Sequence, residues 1–334
     1  MRKTIFLFLF ATLVLANVHL ADAQPSRKVV RIGYLGNRQS TSGLDTDGKD
    51  FLDELRKLGW IEGQNIAVEQ RYWENQVDRL VAQSAELVRL KVDILVTGTG
   101  TAAQAAKRAT NVIPIVMVRS ADAVRQGLAT SLARPGGNVT GLTTVSPWVI
   151  GKRLELMKEA FPKVSHVAVV GCGGLRPGDP IGRLIGTGQW NEVQDAARLQ
   201  KIELLPVSLR GLGGIEGALG LVMRERVDAL FVTDCATVPA DEFIELAVKS
   251  RLPATYPFSL FVTKGGLMSY GADERASYRR AAHFVDKILN GANPAELPVE
   301  QPTEFELVIN LKTAKQIGVT IPPEVLMWAN KVIK

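Results

Sequence analysis

Apolar runs of strand length alternate with apolar positions at helical spacing along most of the chain. The runs predict strands at Val29–Leu35, Ile66–Gln70, Val92–Val96 and Ile113–Val118,. After Ser146-Pro147 the alternation restarts, with predicted strands at Val167–Val170, Ile202–Val207, Ala229–Val232 and Pro253–Tyr256. Such alternation is typical of doubly wound parallel sheets with helices on both faces. Because it occurs twice, we predict an α/β protein of two similar lobes.

Composition narrows the classes of partner. A chain of 334 residues suits two domains, and 46% hydrophobic with 6% aromatic residues suits the aliphatic cores of parallel sheets,. The net charge of +6 is spread among acids, as in Arg224-Glu225-Arg226, without a basic run that interleaves aromatics,. We therefore expect no nucleic-acid partner. The three histidines have no metal-binding spacing, so neither a metal nor another cofactor is expected,.

Residues 1–23 have the features of a signal peptide. Met1-Arg2-Lys3 is a short positive start, Thr4–Leu15 is apolar, and Ala21-Asp22-Ala23 is a small-residue cleavage site,. The apolar run is too short for a membrane span, and no lipid-attachment cysteine follows it,. We therefore expect a free periplasmic protein. That compartment has no pool of ATP or nicotinamide cofactor, which disfavours most enzymes built on such sheets.

The ends of the predicted strands supply the candidate ligand contacts, because ligands of open α/β sheets sit beyond the carboxyl ends of the strands. Turn residues after the third strand open a helix, and their backbone N–H groups suit a carboxylate. Asp234, with Asp122, is expected to bind an ammonium group, and Tyr270 is expected to cover the rest of the ligand. The candidate ligand-binding residues are Gly36, Asn37, Thr97, Thr99, Thr101, Ala102, Ser120, Asp122, Thr233, Asp234 and Tyr270.

Each of these residues also has a structural interpretation. Thr99, Thr101 and Asp234 are alternatively helix caps, and Tyr270 is alternatively a packing residue of a hinge. We interpret Trp148 and Phe258 as hydrophobic filler. Cys172 and Cys235 follow two strands that are expected to be neighbours, so a disulfide and two free thiols both stay open,.

Enzyme motifs are weak in this sequence. Gly98–Ala103 fits the dinucleotide pattern G-x-G-x-x-A, but it follows the third strand of an expected exported protein,. The sequence contains no G-x-x-x-x-G-K-[ST] and no G-x-S-x-G motif,. We therefore predict a binding protein and keep nucleotide binding as a minor alternative.

Several longer segments resemble one family. They are Arg31–Leu35, Leu58–Ile66, Ser131–Leu142, Gly151–Leu156, Gly265–Gly271 and Leu297–Thr303. With them the chain resembles the substrate-binding proteins of ABC transporters, in the tryptophan/tyrosine-type group with a type I periplasmic-binding fold. The resemblance implies two lobes joined by a hinge that the chain crosses three times. Lobe 1 would comprise residues 24–145 and 273–300, and lobe 2 residues 146–272 and 303–334.

The same resemblance implies a function. A monomeric protein would deliver a small solute to an ABC permease in the inner membrane by hinge closure. The family's Asp-Pro is here Asp122-Ala123, and its Asn-Pro loop is replaced by Gly171–Asp179. An amino acid or similar zwitterion is therefore the expected ligand, without a side-chain assignment. The alternatives are a sensor that signals to a membrane receptor and an exported enzyme.

Overall fold

The computed structural model describes residues 29–37, 46–120, 122–144, 147–171, 187–209, 213–233 and 240–334. The expected signal peptide, Asp234 and both cysteines lie outside these residues. The described strands are β1 Val30–Gly36, β2 Ile66–Tyr72, β3 Ile94–Thr97, β4 Ile115–Ser120, β5 Val139–Thr143, β6 His166–Gly171, β7 Glu203–Ser208, β8 Ala229–Val232, β9 Ala254–Tyr256, β10 Met268–Ala272, β11 Phe305–Asn310 and β12 Lys331–Ile333.

The described helices connect and cover these strands. They are α1 Thr46–Lys57, α2 Val77–Arg89, α3 Gly100–Ala109, α4 Pro147–Ala160, α5 Thr187–Gln200, α6 Gly214–Arg224, α7 Ala240–Ser250, α8 Ser259–Thr263, α9 Glu274–Leu289, α10 Leu311–Ile317 and α11 Pro323–Trp328. None of the helices in these ranges is long and apolar enough to cross a membrane.

The first sheet has the order β2-β1-β3-β4-β5 and is parallel throughout. Apolar side chains cover both of its faces, which explains the nearly continuous burial of β1 and β3,. Phe51 of α1 and Phe284 of α9 pack on one face, while Leu80 of α2 and Ala103 of α3 pack on the other. Helix α9 thus belongs to the first lobe, although it follows β10 in the chain.

The second sheet has the order β12-β11-β10-β9-β8-β6-β7. Its strands are parallel except that β10 and β11 pair antiparallel, with Gly271 opposite Glu306. The alternation of strands and helices along the sequence predicted only parallel strands. Strand β11 differs because the chain re-enters from the first lobe, at the edge where β10 ends, and therefore runs in the opposite direction. The expectation of two α/β lobes with mainly parallel sheets is confirmed.

Within the described residues the chain passes between the lobes three times, from β5 to α4, from β10 to α9, and from Glu300 to β11. Glu300 is tied to the first lobe, because its N–H donates to the Gly141 carbonyl and its own carbonyl accepts from Thr143, both at 2.9 Å. Its carboxylate also receives two hydrogen bonds from Arg280 of α9, at 2.6 and 2.7 Å. The third passage therefore starts from a fixed point.

Candidate functional site

The carboxyl ends of β1, β3 and β4 lie side by side. Strand β3 pairs with both neighbours, so that Thr97 is opposite Leu35 on one side and Met117 on the other. Between Met117 and Ser120 the pairing of β4 with β5 shifts by one residue, a bulge of the kind that re-aims side chains at the end of a strand,. The predicted first-lobe residues therefore share one edge of the sheet.

The turn from β3 into α3 exposes hydrogen-bond donors. Thr99 is the N-cap of α3, and its hydroxyl accepts from the N–H of Ala102 at 3.2 Å. Among the described residues, the N–H groups of Thr99, Gly100 and Thr101 have no acceptor. Ala102 itself is fully buried in the core and its N–H is already engaged. The turn thus leaves three donors at the positive end of a helix dipole.

Thr97 adds an unsatisfied buried group beside this turn. It is fully buried, and its Oγ1 has no hydrogen-bond partner among the described residues. Its side chain shares a sheet face with Leu95, the face that α3 covers,. A buried hydroxyl without a partner is costly, which favours a ligand or an ordered water next to it.

Ser120 and Gln126 meet over the first residue of α3. The Ser120 hydroxyl donates to Oε1 of Gln126 at 2.7 Å. A Cβ on Gly100 would lie 2.5 Å from the same Oε1 and 3.2 Å from Nε2, so only glycine leaves room for the amide there. Gln126 was not predicted from the sequence.

Asp122 begins the loop that carries Gln126. Its Oδ1 accepts from the N–H groups of Val124 and Arg125, at 3.1 and 2.9 Å, and its Oδ2 lies 3.4 Å from the Arg125 guanidinium. Its carboxylate therefore shapes the loop. Glu192 of α5, in the second lobe, interacts electrostatically with this pair, and burial raises the pKa of its carboxyl above the usual range.

Arg119 connects the turn to the second lobe. Its Nε donates to the Gly98 carbonyl at 3.1 Å, and its guanidinium forms an ion pair with the buried Glu274, the first residue of α9. The same guanidinium lies 5.2 Å from the ring centroid of Phe258 in the second lobe,. Phe258 is 7% exposed, which agrees with its interpretation as hydrophobic filler. Its ring also contacts the Arg119 guanidinium.

Gly36 and Asn37 close the β1 end of this edge. The Gly36 carbonyl accepts from Trp73, and a Cβ at this position would lie 2.8 Å from the Tyr72 ring. Asn37 exchanges two hydrogen bonds with Asn75, at 2.9 and 3.1 Å, which use its Oδ1 and one of its two amide N–H groups,. Gly36 and Asn37 therefore form the wall at this end, and their contact with a ligand stays a prediction.

The second-lobe candidates are less closely grouped. The Thr233 hydroxyl donates to the Val170 carbonyl at 3.2 Å, at the end of β8. Tyr270 lines a cavity of about 460 Å³ with Trp148, Lys152, Glu155 and Leu199, and every lining residue belongs to the second lobe. Burial raises the pKa of the Tyr270 hydroxyl. The cavity does not bring Tyr270 to the α3 turn.

Trp148 corrects one sequence interpretation. It was expected as filler, but its exposed fraction is 52%. Its ring packs edge-on against the Phe305 ring, with 4.5 Å between the ring centroids. The Phe305 ring in turn stacks on the Tyr270 ring, with 6.2 Å between the centroids. These three rings belong to α4, β10 and β11 of the second lobe, close to where the chain passes between the lobes.

No cluster of metal-ligating side chains occurs in the ranges that the structure describes. The candidate site combines backbone donors, hydroxyls, one amide and the charged groups of Arg119, Asp122 and Glu192. The sequence could not indicate Gln126 or Glu192 in particular, because both reach the site from a loop and a helix face that have no local motif.

Known proteins resemble this chain in sequence and in fold. A family model described as ABC transporter substrate binding protein matches residues 39–333. The tyrosine-binding protein of Clostridioides difficile is 27% identical over 276 residues, which cover 82% of this chain and 77% of that protein.

Two solved structures match over almost their whole length. A conserved domain protein from Vibrio cholerae O1 biovar El Tor has a TM-score of 0.81 and 27% identity, covering 91% of this chain and 100% of that chain. The ABC domain from Streptococcus pneumonia, solved in complex with L-Trp, has a TM-score of 0.80 and 26% identity, covering 91% and 99%. This chain therefore has the fold of periplasmic binding proteins.

Proposed function

The chain belongs to the family of ABC transporter substrate-binding proteins, and on that premise we propose that it carries an amino acid or similar zwitterion through the periplasm to an ABC permease. The observation that supports a carboxylate-bearing ligand is the α3 turn, with three N–H donors and the buried Thr97 hydroxyl,. The names of two relatives, one tyrosine-binding and one bound to L-Trp, favour an amino acid.

In this proposal the ligand lies between the lobes. The carboxylate binds at Thr97, Thr99, Gly100 and Thr101 of the first lobe, and the ammonium group binds Asp234 of the second. Contacts to both lobes stabilise the closed state relative to the open state. The bound ligand therefore increases the population of closed molecules, in which the lobes have moved together about the hinge. The hinge consists of the three passages, and Arg119 connects Gly98 and Glu274 of the first lobe with Phe258 of the second.

The test is calorimetric titration of the purified protein with each of the twenty standard amino acids. Thr101→Glu places a negative charge in the first turn of α3, where it favours the helix but repels a carboxylate. We expect one amino acid to bind at one per chain, and this variant to weaken it by a hundredfold or more. Gln316→Glu adds the same charge at an exposed position of α10 and should leave the affinity unchanged.

A panel in which no amino acid binds the unchanged protein would refute the proposed ligand class. Equal binding by Thr101→Glu and the unchanged protein would refute the placement of the carboxylate. The ligand should also be recovered chemically intact after incubation, because the proposal assigns no catalysis. A modified product would favour an exported enzyme instead.

A further inference from the structure

We propose that Gln126 determines ligand specificity, by donating a hydrogen bond from its Nε2 to the ligand carboxylate at the first turn of α3. This inference rests on the proposed function and adds a residue to the same site. Gln126 is half-buried, and its Oε1 is occupied by the Ser120 hydroxyl. Its Nε2 has no acceptor among the described residues, so the amide offers a donor rather than an acceptor.

Gly100 places that donor next to the backbone donors. The amide atoms of Gln126 stand 2.5 and 3.2 Å from where a Cβ on Gly100 would be. Gly100 is the first residue of α3, and its own N–H is one of the three without an acceptor. The absence of a side chain at this position therefore brings the amide against the helix terminus.

The loop around Gln126 holds the amide in place. The N–H of Gln126 donates to the Asp122 carbonyl at 3.0 Å, and its carbonyl accepts from Nε2 of Gln104 on α3 at 3.2 Å. Asp122 in turn accepts two N–H groups of the loop. A donor fixed before the ligand arrives loses less entropy on binding, which strengthens the contact.

The donors of the α3 turn and of the Gln126 amide favour an anionic ligand group. Three backbone N–H groups of the turn and the Gln126 amide beside Gly100 are donors, while the Asp122 carboxylate is engaged by its own loop and by Arg125. A carboxylate satisfies these donors, whereas the carboxamide of the same amino acid replaces one oxygen with an NH2 that meets them donor to donor. Gln126 thereby discriminates between acid and amide forms of one molecule.

The experiment uses whichever of the twenty amino acids binds tightest, together with its α-carboxamide, in calorimetric titrations. Gln126→Ala removes the donor and should weaken the amino acid about tenfold to a hundredfold, the usual range for a hydrogen bond to a charged group. Gln126→Glu places a tethered carboxylate at the same point and should weaken it more than a hundredfold. In both Gln126 variants the ratio of the affinity for the amino acid to the affinity for its α-carboxamide should be smaller than in the unchanged protein. In Gln316→Glu this ratio should stay the same.

A double-mutant cycle separates this role from a general disturbance. Gly100→Ala pushes the flexible end of Gln126 aside without meeting backbone, so it should weaken binding on its own. It should cause no further loss in a Gln126→Ala background. Unchanged affinity in both Gln126 variants, with the amino acid still bound by the unchanged protein, overturns this inference alone. Absence of amino-acid binding by the unchanged protein overturns the proposed function, and this inference with it.

Discussion

Replacing Gly271 with alanine should destabilise the protein strongly, because the strand that carries it has no space for a methyl group. Gly271 lies near the end of β10, just before the chain passes to the first lobe. Its Cβ would stand 1.9 Å from the Pro257 carbonyl oxygen, whereas real Cβ contacts are essentially never below 3.0 Å. The two backbones must therefore separate by about 1 Å.

That separation meets resistance on both sides. Pro257 has a fixed φ, and it is followed by the buried Phe258 under the Arg119 guanidinium. On the opposite side β10 is paired with β11 at Gly271. Overpacking usually costs about 1–3 kcal/mol, and we expect the upper end of this range or more because backbone, not a flexible side chain, is displaced.

The matched control is Gly220→Ala in α6. Nothing lies within 4 Å of its Cβ position, and the site is exposed in the middle of a helix. Alanine there should raise the free energy of unfolding by about 1 kcal/mol through helix propensity. Urea denaturation followed by circular dichroism measures both variants. If Gly271→Ala unfolds at the same urea concentration as the unchanged protein while Gly220→Ala is stabilised, the clash argument is refuted.

Three further substitutions test the charged groups. Arg280 lowers the pKa of the Glu300 carboxyl, so the contribution of this carboxylate to stability is full above its unfolded pKa near 4.5 and is lost as the pH falls through the lower folded value,. Glu300→Gln should therefore lower the thermal midpoint at pH 7, and by less as the pH is lowered below 4.5. Burial raises the pKa of the Glu192 carboxyl, so its charged form lowers the stability of the folded protein at pH 7,. Glu192→Gln should therefore raise the thermal midpoint at pH 7 and leave it unchanged at pH 3. Arg119→Met leaves the carboxylate of the buried Glu274 uncompensated and should cost about 3–5 kcal/mol in urea denaturation,. Adding Glu274→Leu should recover most of that loss, and an equally unstable double variant would contradict the pairing.

The sequence predicted most of the fold because local patterns specify it. The run at Val29–Leu35 corresponds to β1, and the run at Ala229–Val232 has the same bounds as β8. The family resemblance is confirmed by the match over residues 39–333. The direction of β11 was missed, because the direction of a strand depends on where the chain re-enters the sheet and not on its own residues.

Part of the candidate site was also predicted, because local sequence patterns specify that part. Small polar residues between a buried strand and a helix indicate a turn with exposed N–H groups, so the Thr97–Ala102 segment was accessible to sequence reasoning. The approach of Gln126 to Gly100 depends on the bulge in β4 and on a loop of mixed composition. The pairing of Arg119 with Glu274 joins residues that are far apart in the chain. Neither of these two contacts produces a periodic pattern or a characteristic residue spacing in the sequence.

The order of the strands also bears on how the chain is made. The first lobe needs α9, whose Phe284 packs with Phe51, and the second sheet needs β11 and β12, which form its edge beside β10. During synthesis neither lobe is complete until almost the whole polypeptide has left the ribosome. The nascent chain therefore lacks a finished core for most of its translation, and both lobes complete their packing late.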